Sequence, residues 1–148
     1  MKKLSLIPLI VMSLVVPPSW GETLNDLVKR DGIFYKKFSD VPFTGEFKSR
    51  FEHGWIEAGK REGQWVTYFK NGQVWIKGSF KNGNWDGQWV DYHENGQLFR
   101  EGNYENGRKN GLWVSYDKSG LLRSRGEFKN GRKVFGFITV GMEMFSKT

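Results

Sequence analysis

The segment GQWVDYHENGQLFREGNYENGRKN, residues 87–110, decides the fold because the chain repeats it on either side. Residues 63–86 read GQWVTYFKNGQVWIKGSFKNGNWD, and residues 111–134 read GLWVSYDKSGLLRSRGEFKNGRKV. The three segments superpose without gaps at a period of 24 residues. A fixed period of this length is typical of repeat arrays, in which each unit packs against its neighbours.

Asn-Gly dipeptides punctuate every repeat. They occur at Asn71-Gly72, Asn82-Gly83, Asn95-Gly96, Asn106-Gly107 and Asn130-Gly131, and Ser119-Gly120 takes the sixth place. Asn-Gly is the strongest short signal for a two-residue type I′ turn, because both central residues need a positive φ. The sequence therefore predicts an all-β protein: an elongated, single-layer antiparallel meander with two strands per repeat, all joined by two-residue turns.

Each repeat's tryptophan faces a glycine when the chain is folded about these turns. The predicted pairs are Trp65 with Gly78, Trp89 with Gly102 and Trp113 with Gly126. Near the first turn the same register sets Phe69 opposite Val74. A glycine that faces an indole leaves the room that a bulky ring needs across the backbone, so we interpret both columns as structural.

The opposite face of the predicted sheet carries a second set of aromatic residues. We interpret them as a candidate interaction face, which consists of Tyr68, Trp75, Tyr92, Phe99 and Tyr116. Because both faces are partly apolar, a bare sheet would expose a large patch of the kind that usually marks an interface. We expect a partner, a second copy or the chain's own ends to cover one face.

Basic residues recur beside one set of turns. This candidate basic edge consists of Lys60, Arg61, Lys81, Arg108, Lys109, Lys129, Arg132 and Lys133, in a chain of formal net charge +7. One interpretation is an electrostatic stripe for anionic envelope lipid or cell-wall polysaccharide. The other is a row of charged hairpin tips that block edge pairing and keep the array soluble.

The residue types needed for catalysis do not converge. Cysteine is absent, and the two histidines, His53 and His93, occupy different positions of the repeat. The acidic residues are scattered and do not recur in phase, so we interpret them as a solvated face that keeps the protein soluble. We therefore expect neither an enzyme, a metal site nor a cofactor, and no nucleic-acid partner.

The first 21 residues predict a signal peptide. A basic start, Met1-Lys2-Lys3, precedes a 13-residue apolar run over residues 4–16, which is shorter than the roughly 20 residues of a membrane span. Ser19 and Gly21 offer small side chains for cleavage before Glu22. We expect the mature protein in the periplasm or outside the cell.

The mature chain divides into three parts. Residues 22–53 form an N-terminal capping segment, for which we predict a short helix over 23–30 and strands over 33–38 and 43–47. Residues 54–134 hold the repeats, with full units at 63–86, 87–110 and 111–134. Residues 135–148 predict a degenerate C-terminal cap, as terminal repeats are commonly atypical.

The segment GSFKNGNWDGQWVDYHENG, residues 78–96, resembles the MORN repeat and especially its bacterial variant. The resemblance extends over residues 54–134, with Trp65, Trp89 and Trp113 where a glycine is more usual. It implies a hairpin array without catalytic activity, used as a scaffold, a dimerisation module or a lipid-binding surface. Some relatives are labelled toxin–antitoxin components, which implies an antitoxin-type role in the cytosol.

Three functional hypotheses follow from the sequence. The first is a non-enzymatic exported scaffold that binds an unidentified protein, or itself, through the aromatic face. The second is binding of anionic lipid or cell-wall glycan through the basic edge. The third is the antitoxin-type role, which conflicts with the predicted export.

Overall fold

A computed structural model of the chain describes residues 26–140 and 143–146, and every regular element within them is a β-strand. The strands are β1 (Leu27–Arg30), β2 (Ile33–Lys36), β3 (Gly45–Lys48), β4 (Glu52–Glu57), β5 (Lys60–Tyr68), β6 (Val74–Lys81), β7 (Asn84–Tyr92), β8 (Leu98–Glu105), β9 (Arg108–Tyr116), β10 (Leu122–Lys129), β11 (Arg132–Val140) and β12 (Glu143–Ser146). The predicted signal peptide, residues 1–21, lies outside the described residues and stays a prediction.

Strands β3 to β12 form one ten-stranded antiparallel sheet in which every neighbour is also consecutive in sequence. The predicted all-β meander is therefore confirmed. Strands β1 and β2 form a separate two-stranded hairpin.

The turns after β6, β8 and β10 have the predicted type I′ geometry. Asn82 and Gly83 have φ values of 51° and 82°, and the Asn-Gly pairs at 106–107 and 130–131 match them closely. Ala58-Gly59 forms a further turn of this kind between β4 and β5, with φ values of 45° and 76°. These four turns lie along one side of the sheet, which we call the tight-turn edge.

The turns after β5, β7 and β9, on the other side of the sheet, are three-residue loops, so the two-residue prediction is wrong there. In the first of them only Gly72 has a positive φ, and its N–H donates to the carbonyl of Phe69 at 3.0 Å. The Asn71 side chain accepts the Gln73 N–H at 3.0 Å, which holds Asn71 in an ordinary turn conformation. A type I turn followed by a left-handed glycine is the usual three-residue hairpin loop.

The strand register slips by one residue beside each of these loops. Tyr68, rather than the predicted Phe69, lies opposite Val74, which leaves Trp75 as the extra residue of a β-bulge. Phe99 and Arg123 are the extra residues of the equivalent bulges. A bulge re-aims the side chain of its extra residue, so strict alternation fails at these positions.

The predicted helix at the N-terminal end is wrong where the structure describes it. Leu27–Arg30 form strand β1, which pairs with β2 across an Asp31-Gly32 turn. The two turn residues have φ values of 49° and 83°, as a type I′ turn requires. Asp-Gly is itself a hairpin signal, so the turn chemistry outweighs the local helix propensity.

The predicted Trp–Gly pairs are all present in the strand register. Each indole ring, however, lies over the glycine of the preceding strand. Trp113 is paired with Gly126, as predicted, yet its ring covers Gly102 of β8. A Cβ atom at Gly102 would lie 2.3 Å from the Trp113 ring. Trp65 covers Gly54 in the same way, so each tryptophan closes the hairpin formed by its own strand and the preceding one.

Nine aromatic rings form a continuous ladder on this side of the sheet, which we call the tryptophan face. Successive ring centroids are 3.7 to 6.5 Å apart. The ladder runs through Phe34, Phe47, Trp65, Phe80, Trp85, Trp89, Tyr104, Trp113 and Phe128. Phe34 of the N-terminal hairpin begins the ladder, and Leu27 and Phe43 pack beside it, so the hairpin caps the array where the best-buried core lies.

Hydrogen bonds also connect the turns of successive repeats. On the tight-turn edge the N–H groups of Gly83, Gly107 and Gly131 donate to the carbonyls of Arg61, Trp85 and Lys109 at 2.7 to 2.9 Å. On the other edge the side-chain amide of Asn95 donates to the Lys118 carbonyl at 2.9 Å. Each turn is therefore held against the next repeat.

We expect Gly102→Val to lower the free energy of unfolding by at least about 3 kcal/mol, because the new side chain overlaps the Trp113 indole. The matched control is Asn103→Val, which changes the exposed next residue of the same strand and should cost less than about 0.5 kcal/mol. Urea denaturation monitored by circular dichroism measures both. Equal stability of the two variants would contradict the Trp113 position.

The Asp117 loop should make stability depend on pH in the acid range. Hydrogen bonding from the Ser119 hydroxyl, and from the N–H groups of Leu121 and Ser119, lowers the pKa of Asp117 from 3.8 to about 2. Because the folded-state pKa is depressed, this stabilisation is complete above about pH 4 and is lost as the pH falls through about 2. Thermal melts of the protein and of Asp117→Asn should differ near neutral pH and converge toward pH 2. A gap that does not change with pH would refute this assignment.

Candidate functional site

The side of the sheet opposite the ladder is the valine face, which we define by Val66, Val90, Val114, Tyr68, Tyr92 and Tyr116. These six side chains are all half-buried. The face also carries larger exposed groups, since Trp55 of β4 is 45% exposed and Leu112 of β9 is 41% exposed. The valine face is therefore a mixed surface with apolar groups along its whole length.

A shallow cleft of about 410 Å³ lies on the valine face beside Trp55, and Gln64 and Val66 help to line it. His53 Nε2 and Glu46 Oε1 lie 2.8 Å apart at its rim. The Trp55 indole N–H donates to Glu57 at 3.0 Å, which fixes the ring orientation. The cleft presents a positioned aromatic edge beside polar groups.

Trp75 and Phe99 differ from the three tyrosines with which the sequence grouped them. Trp75 stacks on Phe69 at 5.6 Å and lines a groove with Thr67, which alternates onto the tryptophan face. Phe99 lines a cleft with Trp113. The β-bulges re-aim both side chains, so only the tyrosines of the predicted interaction face lie on the valine face.

The eight residues of the predicted basic edge separate into two groups, because successive side chains of a strand point to opposite faces. Lys60 and Arg108 each lie beside the next tight turn. Their Cβ atoms are 3.6 Å from the point that a Cβ atom would occupy at Gly83 and Gly131, respectively. Lys81, Lys129 and Arg132 are also exposed. The tight-turn edge therefore keeps five basic residues.

The other three basic residues, Arg61, Lys109 and Lys133, occupy equivalent positions of the repeat on the tryptophan face. Arg61 Cζ lies 4.5 Å from the Trp65 ring centroid, and Lys109 Nζ lies 4.2 Å from that of Trp113. Cations over aromatic faces are attracted by the ring quadrupole. Arg61 and Lys109 therefore cover the ladder rather than extend the stripe, whereas Lys133 is exposed.

A buried ion pair in the second repeat is a feature that sequence reasoning missed. Asp91 is 3% exposed and accepts two hydrogen bonds from the Arg100 guanidinium. The equivalent pairs are Thr67 with Ile76 in the first repeat and Ser115 with Ser124 in the third. An alignment of the repeats shows the charge change, but only the strand register shows that Asp91 and Arg100 are partners.

A cleft of about 250 Å³ lies next to this ion pair on the tryptophan face, and we call it the Lys109 cleft. Its lining includes Phe99, Arg100, Lys109, Trp113, Ser115, Ser124, Phe128 and Lys133. Burial, and then the neighbouring Arg100 guanidinium, lower the pKa of Lys109, while Asp91 opposes the shift. Burial raises the pKa of the adjacent Tyr104 hydroxyl. The cleft is cationic and partly desolvated.

The described residues contain no group of three His, Asp or Glu side chains that could hold a metal ion. Within the same residues, no helix long and apolar enough to cross a membrane is present. The two histidines have separate local partners. His53 lies beside Glu46, and His93 Nε2 lies 3.0 Å from the Tyr116 carbonyl oxygen.

The ion pair predicts an asymmetry between single and double substitutions. Asp91→Thr should cost about 2 kcal/mol of unfolding free energy, because it leaves the half-buried Arg100 without its carboxylate. Asp91→Thr with Arg100→Ile recreates the pair of the first repeat, and we expect it to restore stability to within about 1 kcal/mol. A double-mutant cycle by chemical denaturation measures the coupling. Additive costs would show that the two side chains do not interact.

A family model matches the repeated part of the chain. A family model for the MORN repeat variant matches residues 61–82, 85–106 and 109–130, so successive matches begin 24 residues apart. No curated protein matches the chain. Among solved structures, a GtfA/B complex bound to UDP and GlcNAc is 12% identical; the alignment covers 74% of this chain and 25% of that chain, with a TM-score of 0.25.

The matched segments lie along β5 to β10, which carry most of the aromatic ladder. The three matched segments are therefore consecutive repeats that are similar to the MORN repeat variant.

Proposed function

We propose that this protein is an exported, non-enzymatic scaffold that binds another protein, or a second copy of itself, through the valine face. The observation that carries the proposal is the difference between the two sides of the sheet. The tryptophan face is largely filled by its own aromatic ladder, whose Trp65, Trp89 and Trp113 are 2 to 7% exposed. The valine face leaves its aromatic and aliphatic groups partly accessible: its valines and tyrosines are half-buried, and Trp55 and Leu112 are 45% and 41% exposed.

The composition of the valine face suits a protein partner. Protein interfaces place aromatic and aliphatic side chains at their centre and polar groups around them. Tyr68, Tyr92 and Tyr116 form one row along the sheet. The exposed Gln64 and Gln88 lie on the same face. Tyrosine is enriched among the residues that dominate binding energy, because it buries a large ring at little conformational cost.

Export is part of the proposal and rests on the first 21 residues. Their basic start, apolar run and small residues before Glu22 support cleavage by a signal peptidase. A mature N-terminus at Glu22 would also argue against an antitoxin-type role, which requires a cytosolic protein.

The tight-turn edge supports an alternative function, which is binding of anionic lipid or cell-wall polysaccharide. Lys60, Arg108 and Arg132 recur at equivalent positions, and all three are exposed. Binding of this kind depends on salt, because exposed charges are screened over about 10 Å at 0.1 M ionic strength. The same residues also protect the hairpin ends from edge pairing.

The decisive experiment is cross-linked capture by the tagged full-length protein in its native cell, followed by mass spectrometry. Replacing Tyr68, Tyr92 and Tyr116 with Ser should reduce recovery of a specific partner about tenfold or more. Sedimentation velocity of the same variant reports self-association. Circular dichroism checks that the sheet persists.

Two matched variants separate the alternatives. Gln64→Ser with Gln88→Ser changes polar residues of the same face and strands, and should leave capture intact. Replacing Lys60, Arg108 and Arg132 with Gln should also leave it intact. Capture that survives the tyrosine substitutions but is lost with the basic residues, together with salt-sensitive sedimentation on anionic vesicles or cell-wall material, would reject the valine face in favour of the tight-turn edge.

A further inference from the structure

The Lys109 cleft lies where one register position of the tryptophan face carries its smallest pair of side chains. The series runs from Thr67 with Ile76, through Asp91 with Arg100, to Ser115 with Ser124. In the third repeat the two serine hydroxyls lie 2.6 Å apart, and neither side chain fills the space beside Trp113. The first repeat fills the same position with an isoleucine.

The charge of the cleft is unbalanced. Asp91 is the acidic group beside it and is already committed to Arg100 through two hydrogen bonds. No carboxylate of residues 26–140 lies within ion-pair distance of Lys109 or Lys133. Lys109 is half-buried, so an anion placed beside it would interact more strongly than on an open surface.

The walls of the cleft are aromatic. Phe99, which is 38% exposed, and half-buried Phe128 both line the cleft, while the two serine hydroxyls supply polar groups. Pockets for drug-sized ligands have volumes of about 300–1,000 Å³, so a cleft of about 250 Å³ suits a smaller molecule with a single ring.

We propose that the Lys109 cleft binds a single-ring organic anion, with the carboxylate or phosphate beside Lys109 and Lys133 and the ring between Phe99 and Phe128. Ser115 and Ser124 offer hydrogen bonds to polar substituents of the ring. This site lies on the opposite side of the sheet from the proposed protein-binding face, so the two proposals succeed or fail separately.

Titration of the full chain with small probes, followed by NMR of the Trp113 indole N–H, tests the site. The probes are glucuronate, benzoate and glucose 6-phosphate; glucose is the control without charge, and sulfate is the control without a ring. At least one ring-bearing anion should bind with a Kd of about 1 mM or tighter, and at least about tenfold more tightly than either control. The three probes distinguish a sugar acid, an aromatic acid and a sugar phosphate.

Two variants and one matched control locate the binding. Lys109→Gln should weaken the best probe about tenfold, as expected for a lost charge-assisted hydrogen bond. Arg108→Gln removes the same charge from the neighbouring residue on the tight-turn edge and should change the Kd less than about twofold. Ser124→Ile fills the cleft with the side chain of the first repeat, keeps every charge and should abolish binding.

Three outcomes would overturn the proposal. They are no binding of any ring-bearing anion, binding of sulfate as tight as that of the best probe, or equal losses in Lys109→Gln and Arg108→Gln. Because Ile76 is tolerated at the same register position, Ser124→Ile should fold. If Ser124→Ile does not fold, the comparison of Lys109→Gln with Arg108→Gln still tests the proposal.

Discussion

The contact between an indole ring and a bare backbone glycine is the constraint on which the rest of the structure depends. Each of Trp65, Trp89 and Trp113 covers a glycine of the preceding strand, where any side chain would overlap or crowd the ring. The indole N–H of Trp113 then reaches the Asn103 carbonyl at 3.1 Å, and Trp65 makes the equivalent bond to Trp55. One side chain thus joins two strands by packing and by a hydrogen bond.

The second repeat departs from this arrangement in an informative way. Trp85 takes the position that Arg61 and Lys109 hold in the neighbouring repeats, and its ring centroid lies 3.8 Å from that of Trp89. The buried Nε1 of Trp89 has no hydrogen-bond partner among the described residues. The Trp85 ring takes the place of the cation, so the ladder continues without interruption.

Much of the fold was predictable because the turns are encoded locally. Asn-Gly and a 24-residue period are enough to give the strand number, the pairing of Trp65 with Gly78 and the type I′ turns of one edge. The three-residue loops could not be predicted from the dipeptide, because Asn71 and Asn82 both precede a glycine. The two turns differ in the hydrogen bonds that the neighbouring residues make. The bulges at Trp75 and Phe99 follow from those loops, so their facing was missed as well. The Asp91–Arg100 pair could be predicted only with the strand register. The strand at Leu27–Arg30 could be predicted only by recognising the hairpin partner that follows the Asp31-Gly32 turn.

Every bond between the turns of successive repeats spans nearly the same length of chain, since Gly83 reaches back 22 residues to Arg61 and Asn71 reaches forward 23 residues to Glu94. A duplication of 24 residues, begun at any point within the array, would therefore create a new unit that finds the same acceptors, the same glycine beneath its indole and the same neighbours. The number of repeats is free to change during evolution without any redesign of the N-terminal cap. Length is a heritable variable of this architecture, and the distance between the two ends of the sheet changes with it in fixed steps.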